Sequence, residues 1–406
     1  MENENFESVY AVLAEEEIRR KQDVENYMDR DLFSTIKQDV LTEPRIKIVA
    51  GLRGIGKTTM LLHLANNTQN SIFFSLDHPV FETVNLYNFV KYLFTIKGFR
   101  NFFIDEAHNY LAWSKEIKSL YDWNKGLCFV ISGSSALGLY SLDRRACFYE
   151  LPPLSFSEFL RYSNILITET VDWRDYKKSM EFSVKRNLEK SLNDYLKMGG
   201  FLGQLNMSEE NCIKTLYLAI RRSIREDSVM YAKMSKEKVY DLEKIVAFLA
   251  LSKPGELSYN SLSSTLGIGK GTIMELLDIL QKMGVVRVLT PLPVSSSAVR
   301  QQPKMIFSHP SLRYIVSKSI NSLPEKGAMR EEFAVFHLVN LGYGVYTIKG
   351  EKKSPDYIIK KNGKKEIIEI GGPSKGRSQL TEEGIILKDY NLIALGFRTQ
   401  FSPVSD

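Results

Sequence analysis

The clearest chemistry in the chain sits in one run. Gly51-Leu52-Arg53-Gly54-Ile55-Gly56-Lys57-Thr58 fits the phosphate-binding pattern G-x-x-x-x-G-K-[ST] without a mismatch. Glycines let successive backbone N–H groups curl around phosphate oxygens, and the N-terminus of a following helix adds a favourable dipole. Lys57 is expected to reach the β- and γ-phosphates, and Thr58 to offer its hydroxyl to Mg²⁺. The expected ligand-binding set is Gly51, Arg53, Gly54, Ile55, Gly56, Lys57, Thr58 and Thr59, and the expected ligand is ATP with Mg²⁺.

About fifty residues on, Asn101-Phe-Phe-Ile-Asp105-Glu106 is an apolar run that ends in two carboxylates. Asp105 would hold Mg²⁺, directly or through water, and Glu106 would polarise the attacking water as general base. A third apolar run, Leu127 to Ile131, ends in Ser132-Gly-Ser134-Ser135. Either Ser132 or Ser134 could touch the γ-phosphate or the water, and either could simply cap the next helix; Ser134 is taken as the catalytic candidate. Arg144 and Arg145 follow. Arg145 could stabilise the transition-state charge, in cis or from a neighbouring subunit, or the pair could be solvated surface arginines.

These groups need a scaffold that brings several strand ends together. Arg45 to Ala50, Ser71 to Leu76, Asn101 to Ile104 and Leu127 to Ile131 read as strands. Helical runs over Thr58 to Ala65, Val84 to Lys97 and His108 to Tyr121 separate them. That alternation predicts an α/β fold, a parallel sheet covered by helices. Residues 1–44 read as mostly helical, and Ser155 to Met234 as helical with a break at Gly199-Gly200. The predicted division is a P-loop core with N-terminal helices over 1–154, a helical lid over 155–238, a winged helix over 239–325 and a small nuclease-like α/β domain over 326–406.

In order along the chain, GLRGIGKTTML, FFIDEAH, VISGSS and RRACFYELPPLSFSEFL resemble the archaeal and bacterial AAA+ ATPases related to the STAND class of signalling NTPases. The resemblance covers about residues 28–380. It implies an ATPase core, a winged helix and a C-terminal nuclease-like domain. By that resemblance Lys57 and Thr58 take Walker A roles, and Asp105 and Glu106 take Walker B roles. Arg145 matches the arginine six residues before Leu151, although Arg144 replaces the usual glycine. Gly199-Gly200-Phe201-Leu202 matches a lid run that usually ends in proline.

Residues 242–306 read as helix, helix, helix and wing, with Ile273, Leu276, Leu277 and Leu280 on one face of the third helix. If this segment meets double-stranded DNA, Lys270 and Thr272 lie at the end that would approach base edges, and Arg300 and Lys304 would hold phosphates from the wing. Arg221, Arg222 and Arg225 upstream suit phosphates or a solvated helix face equally. In the last segment, Glu331 or Glu332, then Asp356 and Glu369, resemble the carboxylates of PD-(D/E)XK nucleases, with Glu332 taken as the helix member. The position that should hold lysine is Gly371; Lys375 or Gln379 follow it. An inactive module that binds DNA or a partner therefore competes with a Mg²⁺-dependent nuclease.

Composition narrows the class. Of 406 residues, 44% are apolar and 25% charged, which excludes a disordered chain, and the net charge of +6 permits nucleic acid without requiring it. Cys128, Cys147 and Cys212 show no CxxC spacing, which argues against a zinc site. With no signal-like N-terminus and no apolar run of membrane-spanning length, the expectation is a cytoplasmic protein that does not enter membranes. Its expected partners are double-stranded DNA, a protein, or further copies of itself.

Overall fold

The structure is a computed structural model and describes residues 2–133, 142, 144–165, 172–174, 182–201, 207–229, 233–253, 257–292, 303–348, 355–372 and 384–397. Two units emerge, Met1–Pro152 and Pro153–Asp406.

In the first unit, α1 (Glu2–Val24) and α2 (Phe33–Thr42) precede a sheet built from five short apolar runs. These are β1 (Ile46–Ala50), β2 (Ser71–Ser75), β3 (Asn101–Asp105), β4 (Cys128–Gly133) and β5 (Ala146–Glu150). The order is β2-β3-β4-β1-β5 and every pairing is parallel. Parallel neighbours need crossovers, and α3 (Lys57–Asn66), α4 (Leu86–Tyr92) and α5 (Trp113–Trp123) lie between successive strands from β1 to β4. All five residues of β1 are buried, as befits a strand covered on both faces. Ile48, Phe74, Ile104 and Phe129 lie in one core, where Phe102 stacks on Phe129 at 5.5 Å. This is the α/β sheet of a P-loop NTPase, as the alternation predicts.

Two helix starts differ from the sequence reading, each for a local reason. The helix expected from His108 begins at Trp113, because Glu106 is left-handed (φ 50°) and Ala107–Asn109 closes a 3₁₀ turn. The helix expected from Val84 begins at Leu86, where the Asn85 side chain accepts from Asn88 N at 3.0 Å.

The second unit contains α6 (Phe156–Tyr162), α7 (Phe182–Met198), α8 (Glu209–Arg222), α9 (Lys236–Leu251), α10 (Tyr259–Leu266) and α11 (Lys270–Lys282). An antiparallel ribbon follows, β6 (Val286–Leu289) with β7 (Lys304–Phe307), then α12 (Pro310–Ser319) and α13 (Lys326–Asn340). The chain then adds β8 (Gly344–Thr347), β9 (Tyr357–Lys361), β10 (Lys364–Ile370), β11 (Ile385–Leu387) and α14 (Asp389–Gly396). The last four strands form a sheet in the order β11-β10-β9-β8. Three helices and a ribbon thus follow one another in the order read for 242–306.

The three segments read as separate domains share a core. Phe156 and Leu192, Leu289 and Ile306, and Phe333 and Leu392 belong to one buried cluster. Periodicity reveals which face of each helix is apolar but not which faces meet. The run Leu-Ser-Phe-Ser-Glu has a local reason: Ser155 accepts from Glu158 N at 3.1 Å while Glu158 accepts from Ser155 N at 2.9 Å, a capping box that starts α6. The glycine pair has one too, since a Cβ on Gly200 would lie 2.6 Å from the His309 ring.

Two histidines at the centre of this core are held neutral. His337 Nε2 accepts from Phe156 N at 3.0 Å, which leaves its Nδ1–H for Phe333 O at 2.9 Å. His309 Nδ1 accepts from Ser311 N at 3.2 Å, and its Nε2 faces the Tyr195 hydroxyl at 2.8 Å. Burial pushes His337 down to about 4 and His309 well below the usual imidazole range. A base whose folded pKa is depressed contributes stability in full above its unfolded value, and loses it as the pH falls toward the folded one. For His337 that window runs from 6.5 to about 4, worth about 3 kcal/mol across the whole range. In an NMR titration both rings should therefore keep their neutral shifts at pH 5.5; rings that titrate near 6.5 would contradict the burial argument.

Candidate phosphate-binding and hydrolytic site

The site assembles where β1, β3 and β4 end, the edge at which open parallel sheets bind ligands. The loop after β1 leaves no room for a side chain at its first residue: a Cβ on Gly51 would lie 2.4 Å from both the Ile55 side chain (Cδ1) and the backbone Leu151 O. Gly54 and Gly56 take positive φ of 82° and 96°, where a side chain would be strained. Ile55 is fully buried, its side chain packed against Gly51 at the start of the loop. Lys57 opens α3, and its Nζ donates to Gly51 O at 3.1 Å and Leu52 O at 3.0 Å, folding the ammonium over the loop. Thr59 is half-buried in the same first turn.

Asp105 is buried and draws hydroxyls from two other elements. Thr58 Oγ1 donates to its Oδ2 at 2.6 Å, and Ser132 Oγ donates to its Oδ1. Of the two serines left open by the sequence, Ser132 thus touches the site; Ser134 lies outside the described residues. The donor set suits Mg²⁺: a carboxylate and a hydroxyl in contact are hard oxygen ligands, and this ion commonly takes one or two protein groups and completes its shell with phosphates and water. When bound, Mg²⁺ would neutralise the phosphate oxygens, with Thr58 and Asp105 holding it.

Glu106 follows directly. Its left-handed backbone is uncommon for a residue with a side chain and occurs often at functional sites. Burial pushes its carboxyl up to about 7, against the pull of Lys57 and with the repulsion of Asp105. A carboxyl in that range is suited to accepting a proton near neutral pH.

Sequence reasoning missed two participants. Arg30 is buried and donates from Nη1 to Ile55 O at 2.7 Å and from Nη2 to Pro152 O at 2.8 Å, clamping the loop from a segment 25 residues upstream of it. His108, also buried, lies 3.1 Å from Glu106. Arg30 falls within no motif, and His108 closes the FFIDEAH run without a role assigned to it, so the fold is what shows their contacts.

Arg145 is not gathered with these groups. Ala146 pairs with Ile46 at the start of β1, so Arg145 lies at the opposite edge of the sheet from Gly51, about 17 Å away at a strand's rise per residue. There it pairs with Asp122, Nε to Oδ1 and Nη2 to Oδ2 both at 3.2 Å. In this arrangement Arg145 does not reach the phosphate loop of its own chain.

The expected DNA and nuclease positions are also altered. Lys304 is not a wing phosphate contact: its Nζ bonds Glu331, lies 3.9 Å from Asp356 Oδ1 and 4.4 Å from the Tyr357 ring centre. Arg300 lies outside the described residues, as do Lys375 and Gln379. Lys270 is exposed and Thr272 half-exposed at the start of α11. Arg221 and Arg225 both pair with Glu243, and Arg222 with Glu226. Glu332 faces away from Asp356 into a buried ion pair with Arg313, so Glu331 is the helix carboxylate beside Asp356. Neighbours on a helix point 100° apart, a choice the sequence left open. Glu369 is joined to Asp356 through its backbone N at 3.0 Å. Among the described residues no group of three or more His, Cys, Asp or Glu is arranged to hold a metal ion.

A family model described as AAA domain matches residues 43–160. That span runs from just before β1 to α6 and holds Lys57, Thr58, Asp105 and Glu106. Over that span the chain is similar to AAA domains. A second family model, a domain of unknown function (DUF8612), matches residues 189–322 and crosses the border expected at 238. The chain is similar to the uncharacterized protein MJ1637 of Methanocaldococcus jannaschii, at 25% identity over 91% of this chain and 84% of that one. It is also similar to the uncharacterized protein MJ1544 of the same organism, at 31% identity over 42% of this chain and 39% of that protein. Among solved structures, the RuvB Holliday junction branch migration motor of Thermotoga maritima aligns at 18% identity and a TM-score of 0.29, covering 68% of this chain and 95% of that one. No helix among the described residues is long and apolar enough to cross a membrane.

Proposed function

We propose that this chain hydrolyses ATP with Mg²⁺ at its AAA domain and couples nucleotide state to a change in conformation. The observation that carries the reading is the convergence of Thr58 and Ser132 on Asp105, with Glu106 next in the chain and Lys57 beside it. In this reading Lys57 swings from the loop carbonyls to the β- and γ-phosphates, and Glu106 accepts a proton from the attacking water. Ser132 and Thr58 keep Asp105 oriented. Arg145, remote from its own site, would serve the nucleotide of a neighbouring copy, which makes a homo-oligomer part of the proposal.

The output is open to two readings. A DNA-associated ATPase keeps Lys270 and Thr272 but loses Lys304 to its internal ion pair. A nucleotide-gated switch acting on a protein partner is favoured by the exposed face of α11, where Glu275 and Asp278 pair with Lys238 and Lys282 and leave Lys270 without the concentrated positive charge that phosphates need. The nuclease alternative is disfavoured by Lys304, whose ammonium already neutralises Glu331 beside Asp356. ATP turnover with and without double-stranded DNA, at low and moderate salt, separates the readings. Turnover indifferent to DNA, with no DNA bound at low salt, is the expected result; stimulation that weakens with salt would instead establish the DNA-associated reading.

A further inference from the structure

We propose that His108 is a positioning residue for Glu106, held in the required tautomer by Arg53 of the phosphate loop. The proposal rests on the ATPase reading and gives a role to the last residue of the FFIDEAH run, which the sequence reading left without one.

The geometry has three parts. Glu106 adopts φ 50° and ψ 40°, and the 3₁₀ turn that follows, closed by Asn109 N on Glu106 O at 3.0 Å, folds the chain back so that residue 108 returns over residue 106. His108 Nδ1 then lies 3.1 Å from Glu106 Oε2. On its other side, His108 Nε2 lies 3.5 Å from Arg53 Nη2. A guanidinium has donors only, so the ring nitrogen facing it must accept. That assigns the remaining ring proton to Nδ1, the nitrogen 3.1 Å from Glu106 Oε2. A donor on Oε2 restrains the carboxylate and leaves Oε1 for water.

The ordinary alternative is a histidine that merely fills the core. Burial at 3% exposure fits both readings. What favours the positioning role is that its two ring nitrogens face the base on one side and the phosphate loop on the other. The arrangement has a mechanical consequence. A phosphate in the loop attracts the same guanidinium that orients the imidazole, so loop occupancy is transmitted to Glu106 through one ring.

The test compares ATP turnover and equilibrium ATP binding in His108→Ala, His108→Asn and His108→Gln, with Glu106→Gln as reference. His108→Ala should lose kcat on the order of 10–100-fold, the range for removing a group that orients a reacting one, with ATP affinity unchanged. Asparagine carries its amide N–H at the branch position of Nδ1, so His108→Asn should recover a large part of kcat. Glutamine carries its donor near the Nε2 position, so His108→Gln should not. Parental turnover in His108→Ala would overturn the proposal. So would equal losses in all three variants accompanied by lowered melting temperatures, since those mark a packing role. Parental turnover in Glu106→Gln would instead overturn the assignment of the base, and the positioning role with it.

Discussion

Glu106→Gln should bind ATP with parental affinity and turn it over roughly 10²–10⁴-fold more slowly, the usual contribution of a general base. The amide keeps the size and one acceptor oxygen of the carboxylate but cannot take a proton. Phosphate binding is carried by the loop and Lys57, which this change leaves alone. The partner groups make the outcome specific: Asp105 is engaged by Thr58 and Ser132, so it is not free to replace its neighbour as base. Rapid-mix single-turnover kinetics, paired with equilibrium nucleotide binding, separates the two quantities. A variant that hydrolyses at the parental rate would show that another group activates the water; one that fails to bind ATP would show that Glu106 shapes the pocket instead.

Arg313→Met should destabilise the second unit by about 3–5 kcal/mol, the cost of leaving one member of a buried ion pair alone. Both side chains are fully buried, with Arg313 Nε on Glu332 Oε1 at 2.8 Å. Arg313 Nη1 also donates to Leu249 O at 2.9 Å and Ser252 O at 3.0 Å, closing the C-terminal end of α9, while Glu332 accepts from Phe307 N at 3.0 Å. One pair thus links α9, β7, α12 and α13. Even with its partner present, burial pushes Glu332 up to about 7 from 4.5. An acid with a raised folded pKa contributes stability below its unfolded value and loses it as the pH rises through the folded one. The Arg313→Met loss should therefore be smaller at pH 5 than at pH 8. Adding Glu332→Gln, which removes the stranded charge and keeps the acceptor, should recover much of the loss. Chemical denaturation of the single and double variants at both pH values checks this, and simple additivity of the two changes would contradict it.

How far the sequence reaches depends on how local the cause is. The phosphate loop, the Asp105-Glu106 pair and their strands were legible because glycine conformation, strand burial and motif spacing act over a few residues. Helix starts at Leu86 and Trp113 were misread by a few positions where a cap or a left-handed residue intervened. Arg30 was invisible to pattern reading, since its role depends on chain that returns from elsewhere, and the role of His108, though it ends the FFIDEAH run, depends on the left-handed turn at Glu106. The same limit explains Lys304 and Glu332. Each carries a charge that suits an exposed functional role, and only tertiary packing shows that Glu331 and Arg313 consume it. Arg145 had a matching motif position, yet the register of β5 on β1 sets it at the wrong edge for its own nucleotide.

The most direct measurement is Mg²⁺-dependent phosphate release from ATP by the full chain and by Lys57→Ala. Release by the parent, abolished on chelating Mg²⁺ and lost together with tight nucleotide binding in Lys57→Ala, is the predicted result. Release that persists in Lys57→Ala, or a parent that binds ATP tightly and never releases phosphate, would contradict the assignment of this site as a hydrolytic one.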